Sequence, residues 1–352
     1  MDYRRGDGGE VYRAVKGRFP GLVGLGRRNE ALRPEFEGIK ELLETERQHN
    51  ADVANLLKIT RGMVPRRESM PKIEGMDIYG VPMQLSGTEA GGDHVAYFDF
   101  KKYSPGTRIL RAEAAGNVGI AEKLRLTGKK AGILLADISG HSITDAALAG
   151  MLHHTFTLGI PYELDMNGEV TSHLLERINT DFYVTLGGEK YITMIYAEVA
   201  EDGTLRFISA AHPPPVVFSR EYDKIVDISA DQLVVFPPIG TMPSEMHADT
   251  TRRHSIFGLK ERYVVNERQI MGRGDVLVLY TDGLSDHSRP LQLHTSEAHI
   301  EHDEFFFPNH LEKTLRMTID GSAEDIYNEV MDGVRRFGEP QDDVTCVVVK
   351  KL

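Results

Sequence analysis

The sequence predicts a layered α+β fold with largely antiparallel sheets. Three observations carry that expectation. "YITMIYAEVAEDGTLRFISAA" has two β-rich arms around the turn Glu201-Asp202-Gly203, which is a hairpin pattern. "AGILLAD" (131–137), "VLVLY" (276–280) and the closing "DDVTCVVVKK" are short apolar runs suited to strands buried on both faces. The helical stretches do not alternate with these runs in a regular βαβ order, so a doubly wound parallel sheet is not expected.

Taken in order, residues 1–33 are rich in glycine and arginine and read as a flexible or partner-binding arm. Residues 34–65 read as a regulatory or linker helix. Phe36, Ile39, Leu42 and Leu43 share one face, and Val53, Leu56, Leu57 and Ile59 resume it. The centre, "ETERQHNAD", is polar nearly all round, which favours packing on a partner chain or a neighbouring domain over an isolated helix. "MVPRRESMPKIEG" is a proline-marked connection, and the main domain is expected over 66–352. Strands are expected at "MDIYGVPMQL" and "HVAYFDF". Helices are expected at "ITDAALAGMLHHTFTLGI" and "TSHLLERINTDFYVTL". Further on, "SAEDIYNEVMDGVRRFGEP" has Ser322 as N-cap, Ile326, Val330 and Val334 four apart, and Gly338 and Pro340 as its stop.

Composition narrows the function. The 352 residues are 41% hydrophobic and 27% charged, enough for a sizeable core. A net charge of -12 argues against a nucleic-acid backbone or an anionic membrane surface as the main partner. The single cysteine, Cys346, excludes an internal disulfide and a cysteine-based metal site, and fits a reducing compartment. No run approaches a membrane span, and "MDYRRGDGGE" lacks a signal-peptide core, so a cytoplasmic location is expected.

Carboxylates recur at strand tips. Asp137 ends "ILLAD", with Gly140 three residues on. Asp282 follows "VLVLYT" and precedes Gly283. Asp342-Asp343 precede "VTCVVV", and Asp93 follows Gly91-Gly92 just before a strand. A carboxylate at a buried strand end is costly, and several together repel one another unless a cation lies between them. Oxygen donors of this kind suit Mg²⁺ or Mn²⁺. Each Asp-Gly taken alone is a turn dipeptide, and Asp342-Asp343 alone is a solvated loop.

In chain order, "GGDHVAYFDF", "LLADISGHS…AALAGML", "INTDF…YITMIYAEV", "LRFISAAHPPP", "GDVLVLYTDGLSD" and "DDVTCVVV" resemble the SpoIIE branch of the PPM-type (protein phosphatase 2C-like) serine/threonine phosphatases. The likeness runs from about residue 50 to the end. It implies a four-layer αββα sandwich with two central antiparallel sheets, behind an N-terminal helical segment. It implies two or more Mn²⁺ or Mg²⁺ ions and hydrolysis of phosphoserine or phosphothreonine on a protein. Carried over, Asp137 would bridge two ions, the backbone carbonyl of Ile138 would add a ligand, and Asp282 and Asp343 would hold the second ion. Asp93 would hold a water of the site or a further ion. Gly92, Gly140 and Gly283 would keep the loops tight. Asp137, Asp282 and Asp343 are thus the candidate catalytic residues, with His141 as a possible proton donor beside its plainer reading as a loop histidine.

Ser142 stands where this branch often has glycine. "AAHPPP" (His212 to Pro215) reads as a rigid strand exit, and Asn179 and Thr193 as packing and hydrogen-bonding positions. "HSRPLQLHTSEAHIEHDEFFFPNH" holds His287, His294, His299, His302 and His310 at spacings that match no zinc template. It reads as a mobile flap beside the site, with Phe305-Phe306-Phe307 anchoring its far end. The resemblance implies a phosphorylated STAS-type anti-sigma-factor antagonist as substrate, in a partner-switching pathway of stress-response regulation. The 34–63 helix would form a homodimer or dock an activating protein. The alternative is an inactive or weak pseudophosphatase that binds the same kind of partner.

Overall fold

The computed structural model describes residues 46–48, 51, 54–56, 58–60, 62–85, 91–103, 105–140, 143–228, 233–244, 260–295 and 298–352. The arm at 1–33 and most of the 34–65 helix lie outside them. Contacts divide the chain into Met1–Leu56 and Leu57–Leu352. In the first unit the described residues are helical. The second runs β1 (Met76–Tyr79), β2 (Pro82–Met83), β3 (Asp93–Asp99), α1 (Pro105–Ala114), α2 (Val118–Thr127), β4 (Lys130–Ile138), α3 (Ile143–Asn167) and α4 (Ser172–Leu186). It continues through β5 (Ile192–Ala200), β6 (Thr204–Ala210), β7 (Val216–Ser219), β8 (Lys224–Asp227), β9 (Val235–Phe236) and β10 (Asn266–Gln269). It closes with β11 (Val276–Tyr280), α5 (Asp282–Ser285), β12 (Ser288–Thr295), β13 (Ala298–Phe305), α6 (Asn309–Thr318), α7 (Ala323–Phe337) and β14 (Val344–Lys351).

Period-two alternation sorts the apolar side chains into three cores. In β4, Ala131, Ile133 and Leu135 face one way, with Ile195, Ala197 and Val199 of β5, Leu277 and Leu279 of β11, and Val347 and Val349 of β14. This is the layer between the two sheets. Leu134, Ala136 and Ile138 face the other way, against Leu148, Leu152, Phe156 and Ile160 of α3 and Leu175 and Ile178 of α4. On the far side, Val276, Val278, Cys346 and Val348 meet Leu311 and Leu315 of α6 and Ile326, Val330 and Val334 of α7. The order is helices, sheet, sheet, helices. A strand buried on both faces cannot show polar alternation, which is why these runs read as unbroken apolar stretches.

One sheet has the order β1-β14-β11-β7-β8, with β2 also on β14. The other is β10-β6-β5-β4-β3, with β9 on β6. All pairs in both sheets are antiparallel except β6 with β9. The expected hairpin is present: Gly203 N–H closes the turn on the Ala200 carbonyl. α7 starts at a capping box between Ser322 and Asp325. Two local expectations change. α3 continues through Pro161 to Asn167, where the Arg108 guanidinium donates to the Pro161 carbonyl at 3.0 Å. The His-rich insertion is a β12–β13 hairpin, and its anchor is Phe306, fully buried, with Phe307 packed beside it, whereas Phe305 is exposed. Among the described residues no helix is long and apolar enough to cross a membrane.

Candidate active site

The register of the sheets decides which carboxylates meet. Asp93 opens β3 directly opposite Asp137, the next-to-last residue of β4. Both lie on the inter-sheet side of their strands, because Val95 and Leu135, two residues away, are in the inter-sheet core. From the opposite sheet come Thr281, just past β11, and Thr345 of β14. Thr281 Oγ1 donates to Asp93 Oδ2 at 2.9 Å, and Thr345 Oγ1 donates to the same oxygen at 2.6 Å. Thr281 and Thr345 are themselves joined, since Thr281 N–H donates to the Thr345 carbonyl and Thr345 N–H to Thr281 Oγ1. Two hydroxyls of one sheet thus grip a carboxylate of the other. Neither threonine stands out in the sequence, although both flank a singled-out aspartate within two residues.

Asp343 arrives from the start of β14. Its Oδ1 accepts from Leu85 N–H and its Oδ2 from Gly92 N–H, both at 2.6 Å. Gly92 also accepts through its carbonyl from Ile138 N–H at 3.2 Å. The fit at Gly92 is tight: a Cβ there would stand 2.7 Å from the Ile138 carbonyl oxygen and 3.4 Å from Asp137 Oδ1. The glycine therefore brings the Asp137–Ile138 tip, the amide that holds Asp343, and Asp93 into one place. Burial, then the charge of Asp137, push the Asp93 carboxyl well above the usual aspartate range; the two hydroxyls oppose the shift, and Asp343 adds to it.

Asp282 is not on the strand itself. It is the first residue of α5, a single helical turn two residues beyond Tyr280. Its carboxyl is pushed up by burial and then by Asp342 and Asp286. With Gln341, Asp342, Asp286 and His287 it lines a cleft of about 300 Å³. Gly283 joins this cleft to the Asp343 segment, since a Cβ on it would lie 1.9 Å from the Asp343 carbonyl oxygen. No side chain fits that space without displacing the strand that carries Asp343. Gly283→Ala is expected to cost about 1–3 kcal/mol from overpacking alone, read by denaturant titration, and to lower metal affinity because Asp282 and Asp343 move together.

Whether divalent ions fit can be judged from the donors. Among the described residues no ready-made cage of three or more acidic, histidine or cysteine side chains is formed. The donors are nevertheless all oxygen, they are acidic, and the Asp93 carboxyl is raised by burial and then by the charge of Asp137. A hard ion that keeps several waters and takes only one or two carboxylates matches such a set. The residues fit Mg²⁺ or Mn²⁺. His141 and Ser142 lie outside the described residues.

Burial, with the repulsion added to it, has a measurable consequence. Asp93 has a raised pKa in the folded, metal-free protein. Its contribution to stability is complete below the unfolded-chain value and is lost as pH rises through the folded value. Asn at this position keeps an acceptor for the hydroxyls and carries no charge. In chelator, Asp93→Asn is expected to melt above the wild type in neutral and mildly alkaline buffer. The gap should close on acidification into the ordinary carboxylate range, as followed by thermal denaturation.

Two other expected positions have defined partners. Thr193, opposite Asp137 in β5, bonds His212 Nδ1 at 3.2 Å. Burial drives His212 down to about 3, so its ring is neutral. Asn179 ties the 240–242 turn, accepting from Gly240 N–H and donating to the Met242 carbonyl. His287 is buried, with Nε2 3.1 Å from the Val334 carbonyl, which makes it part of the hairpin's anchorage.

The sequence model of the Stage II sporulation protein E (SpoIIE) family matches residues 127–351, more than half of the chain. Among solved structures, the SiaA-PP2C domain of Pseudomonas aeruginosa is similar at 12% identity and a TM-score of 0.55, over 87% of this chain and 98% of that one. The RsbU and RsbW domains of a Mycobacterium tuberculosis protein are similar at 18% identity and a TM-score of 0.51, over 82% of this chain and 64% of that one. The chain thus spans less than two thirds of the mycobacterial structure. No curated protein sequence matches it.

Proposed function

Because the chain belongs to the SpoIIE family and has the PP2C phosphatase fold, we propose that it is a metal-dependent phosphatase acting on phosphoserine or phosphothreonine of a regulatory protein. The observation that supports this most is the meeting of Asp93, Asp137 and Asp343 at one mouth of the sandwich. Asp137, the Ile138 carbonyl, Asp282 and Asp343 would hold the ions, and Asp93 would hold a water or a further ion. When bound, Mn²⁺ or Mg²⁺ supplies activation of water and neutralisation of phosphoryl charge. The chain's own part is positional. Thr281 and Thr345 orient Asp93 and oppose the rise in its pKa, Gly92 N–H and Leu85 N–H orient Asp343, and the Gly92 carbonyl fixes the Ile138 peptide. Nothing in this arrangement calls for a protein nucleophile, and Cys346 is buried with its thiol pushed well above the usual range.

The substrate in this reading is a phosphorylated STAS-type protein in a partner-switching pathway. Its support is the RsbU-like fold, found in the mycobacterial structure together with an RsbW domain. The test is phosphate release from a phosphorylated STAS protein in the presence of Mn²⁺. Release sustains the reading; binding of the STAS protein without release, at any metal concentration, would make this chain a binding module instead.

A regulatory role for the 34–63 segment belongs to the same reading. Met63 packs on α3, where its Cε would lie 3.5 Å from a Cβ placed on Gly150. The outer face of α3 exposes Met151, Leu158, Tyr162 and Met166 at helical spacing. Deleting residues 1–63 is expected to change activity at limiting Mn²⁺ by about 5-fold or more and to shift the oligomeric state in sedimentation. Unchanged values of both would refute the role.

A further inference from the structure

Beneath the Asp137 loop lies an ion pair that the site as described does not use. Asp145, in the first turn of α3, is fully buried. Gly140, in the left-handed region at φ 125°, comes so close that a Cβ on it would stand 2.7 Å from Asp145 Oδ2. The carboxylate therefore lies directly against the turn that follows Asp137 and Ile138. Lys190, two residues before β5, reaches in from the side. Its Nζ bonds Asp145 Oδ1 and stands 3.4 Å from Thr144 Oγ1. The next residue grips the same loop through its backbone: Ser139 N–H donates to the Tyr191 carbonyl at 3.1 Å, and Tyr191 N–H donates to Ser139 Oγ at 3.2 Å.

We propose that Lys190 and Asp145 are positioning residues for the metal-holding loop, setting the Ser139–Gly140 turn so that the Ile138 carbonyl and the Asp137 carboxylate face the ions. The inference rests on the metal-dependent reading given above. Asp145 adds a buried negative charge to a region already crowded with Asp93, Asp137 and Asp343. The start of α3 favours a carboxylate there, because the helix dipole is positive at that end. Lys190 supplies a positive charge from the side, and through its chain neighbour Tyr191 it links that contact to the edge of the loop. Removing Lys190 takes a countercharge from the buried carboxylate that lies against Gly140, and removing Asp145 takes the partner from a partly exposed ammonium beside the same turn. A buried charge that loses a partner is relieved by movement, and the Ser139–Gly140 turn lies directly against this one. Removing both takes away the two charges together and keeps the backbone bonds of the tip to Tyr191 and Gly92.

The test is Mn²⁺ binding to the metal-free full-length chain by calorimetry, with no substrate present. Lys190→Met is expected to weaken Mn²⁺ binding about 10-fold or more, the range found for groups that orient metal ligands. Lys190→Arg should bind close to wild type. Asp145→Asn should also weaken binding, and Lys190→Met with Asp145→Asn should recover part of the loss, because the two act as a unit. Melting of the metal-free variants is measured alongside. If Lys190→Met does not fold, the Arg and Asn variants decide the matter. Wild-type Mn²⁺ affinity in Lys190→Met, or losses that simply add in the double variant, would overturn the proposal. So would a raised KM for a phosphoester with Mn²⁺ binding unchanged, which would make Lys190 a substrate contact. A wild type that binds Mn²⁺ but releases no phosphate would sink the phosphatase reading and leave the pair to be judged by the same titration. A wild type that binds no Mn²⁺ would sink both.

Discussion

Asp137→Asn is expected to abolish Mn²⁺-dependent phosphate release while leaving the fold intact. Asp137 stands at the tip of a nine-residue strand paired on both sides, to β3 and to β5. An amide is nearly the same size, so the packing around it should survive. What changes is charge. The amide offers a single weak oxygen donor and no countercharge, and the site loses the carboxylate nearest to Asp93 in the register. Loss of one preorganised group that stabilises developing charge costs about 10²–10³ in kcat, and the loss should exceed that if Asp137 holds the ions as proposed. Phosphate release from a generic phosphoester, measured across a Mn²⁺ titration, checks it. The metal-free variant should melt no lower than the wild type, since one member of a repelling pair has been neutralised. An active Asp137→Asn would mean that the meeting of carboxylates has a purpose other than hydrolysis.

Lys260→Met, away from the site, is expected to destabilise the fold strongly. Lys260 Nζ is buried and bonds both oxygens of Glu176 in α4, at 3.0 and 2.9 Å, and the Glu261 carbonyl at 2.9 Å. It also sits 3.5 Å from the centre of the Tyr263 ring. Burial lowers the Lys260 pKa and Glu176 pulls it back, so the ammonium depends on its partner. Glu176 holds more than the lysine: Ser244 Oγ donates to one oxygen, and Tyr263 N–H donates to the other at 2.6 Å. Ser244 and Lys260, which lie on either side of residues 245–259, are thereby both tied to one helix. Breaking a buried pair by removing one partner costs about 3–5 kcal/mol, because the remaining charge is left alone. Glu176→Gln should cost less, since its oxygen still accepts. Adding Glu176→Gln to Lys260→Met should restore stability relative to Lys260→Met alone. Chemical denaturation of the four proteins measures the coupling. Additive losses would show that the pair contributes through packing only.

Much of the fold was readable because the strands of this sandwich are buried on both faces. "AGILLAD" and "VLVLY" could scarcely be anything else, and Gly203, Ser322 and Gly338 punctuate their elements locally. α1 and α2 were not legible. Their buried positions are few, chiefly Ala112, Ala121 and Leu124, while Leu110, Val118 and Leu126 point to solvent, so the apolar stripe that marks a helix is blurred. The insertion was legible as an insertion but not as a hairpin, because its histidines and acids mask the alternation.

At the site, the residue types and their strand-tip positions were set by the sequence alone: oxygen donors, glycines where the backbone must come close, and no usable thiol. Which of them meet was decided only by the tertiary structure. The register of β3 against β4 places Asp93 opposite Asp137, and the spacing between the sheets puts two threonine hydroxyls on one carboxylate. The Lys190–Asp145 contact joins residues 45 apart that share no local pattern. Apolar periodicity is a property of neighbours along the chain, so it can be read there. The energy of a charge depends on what surrounds it in space, and that exists only once the sheets have closed on each other.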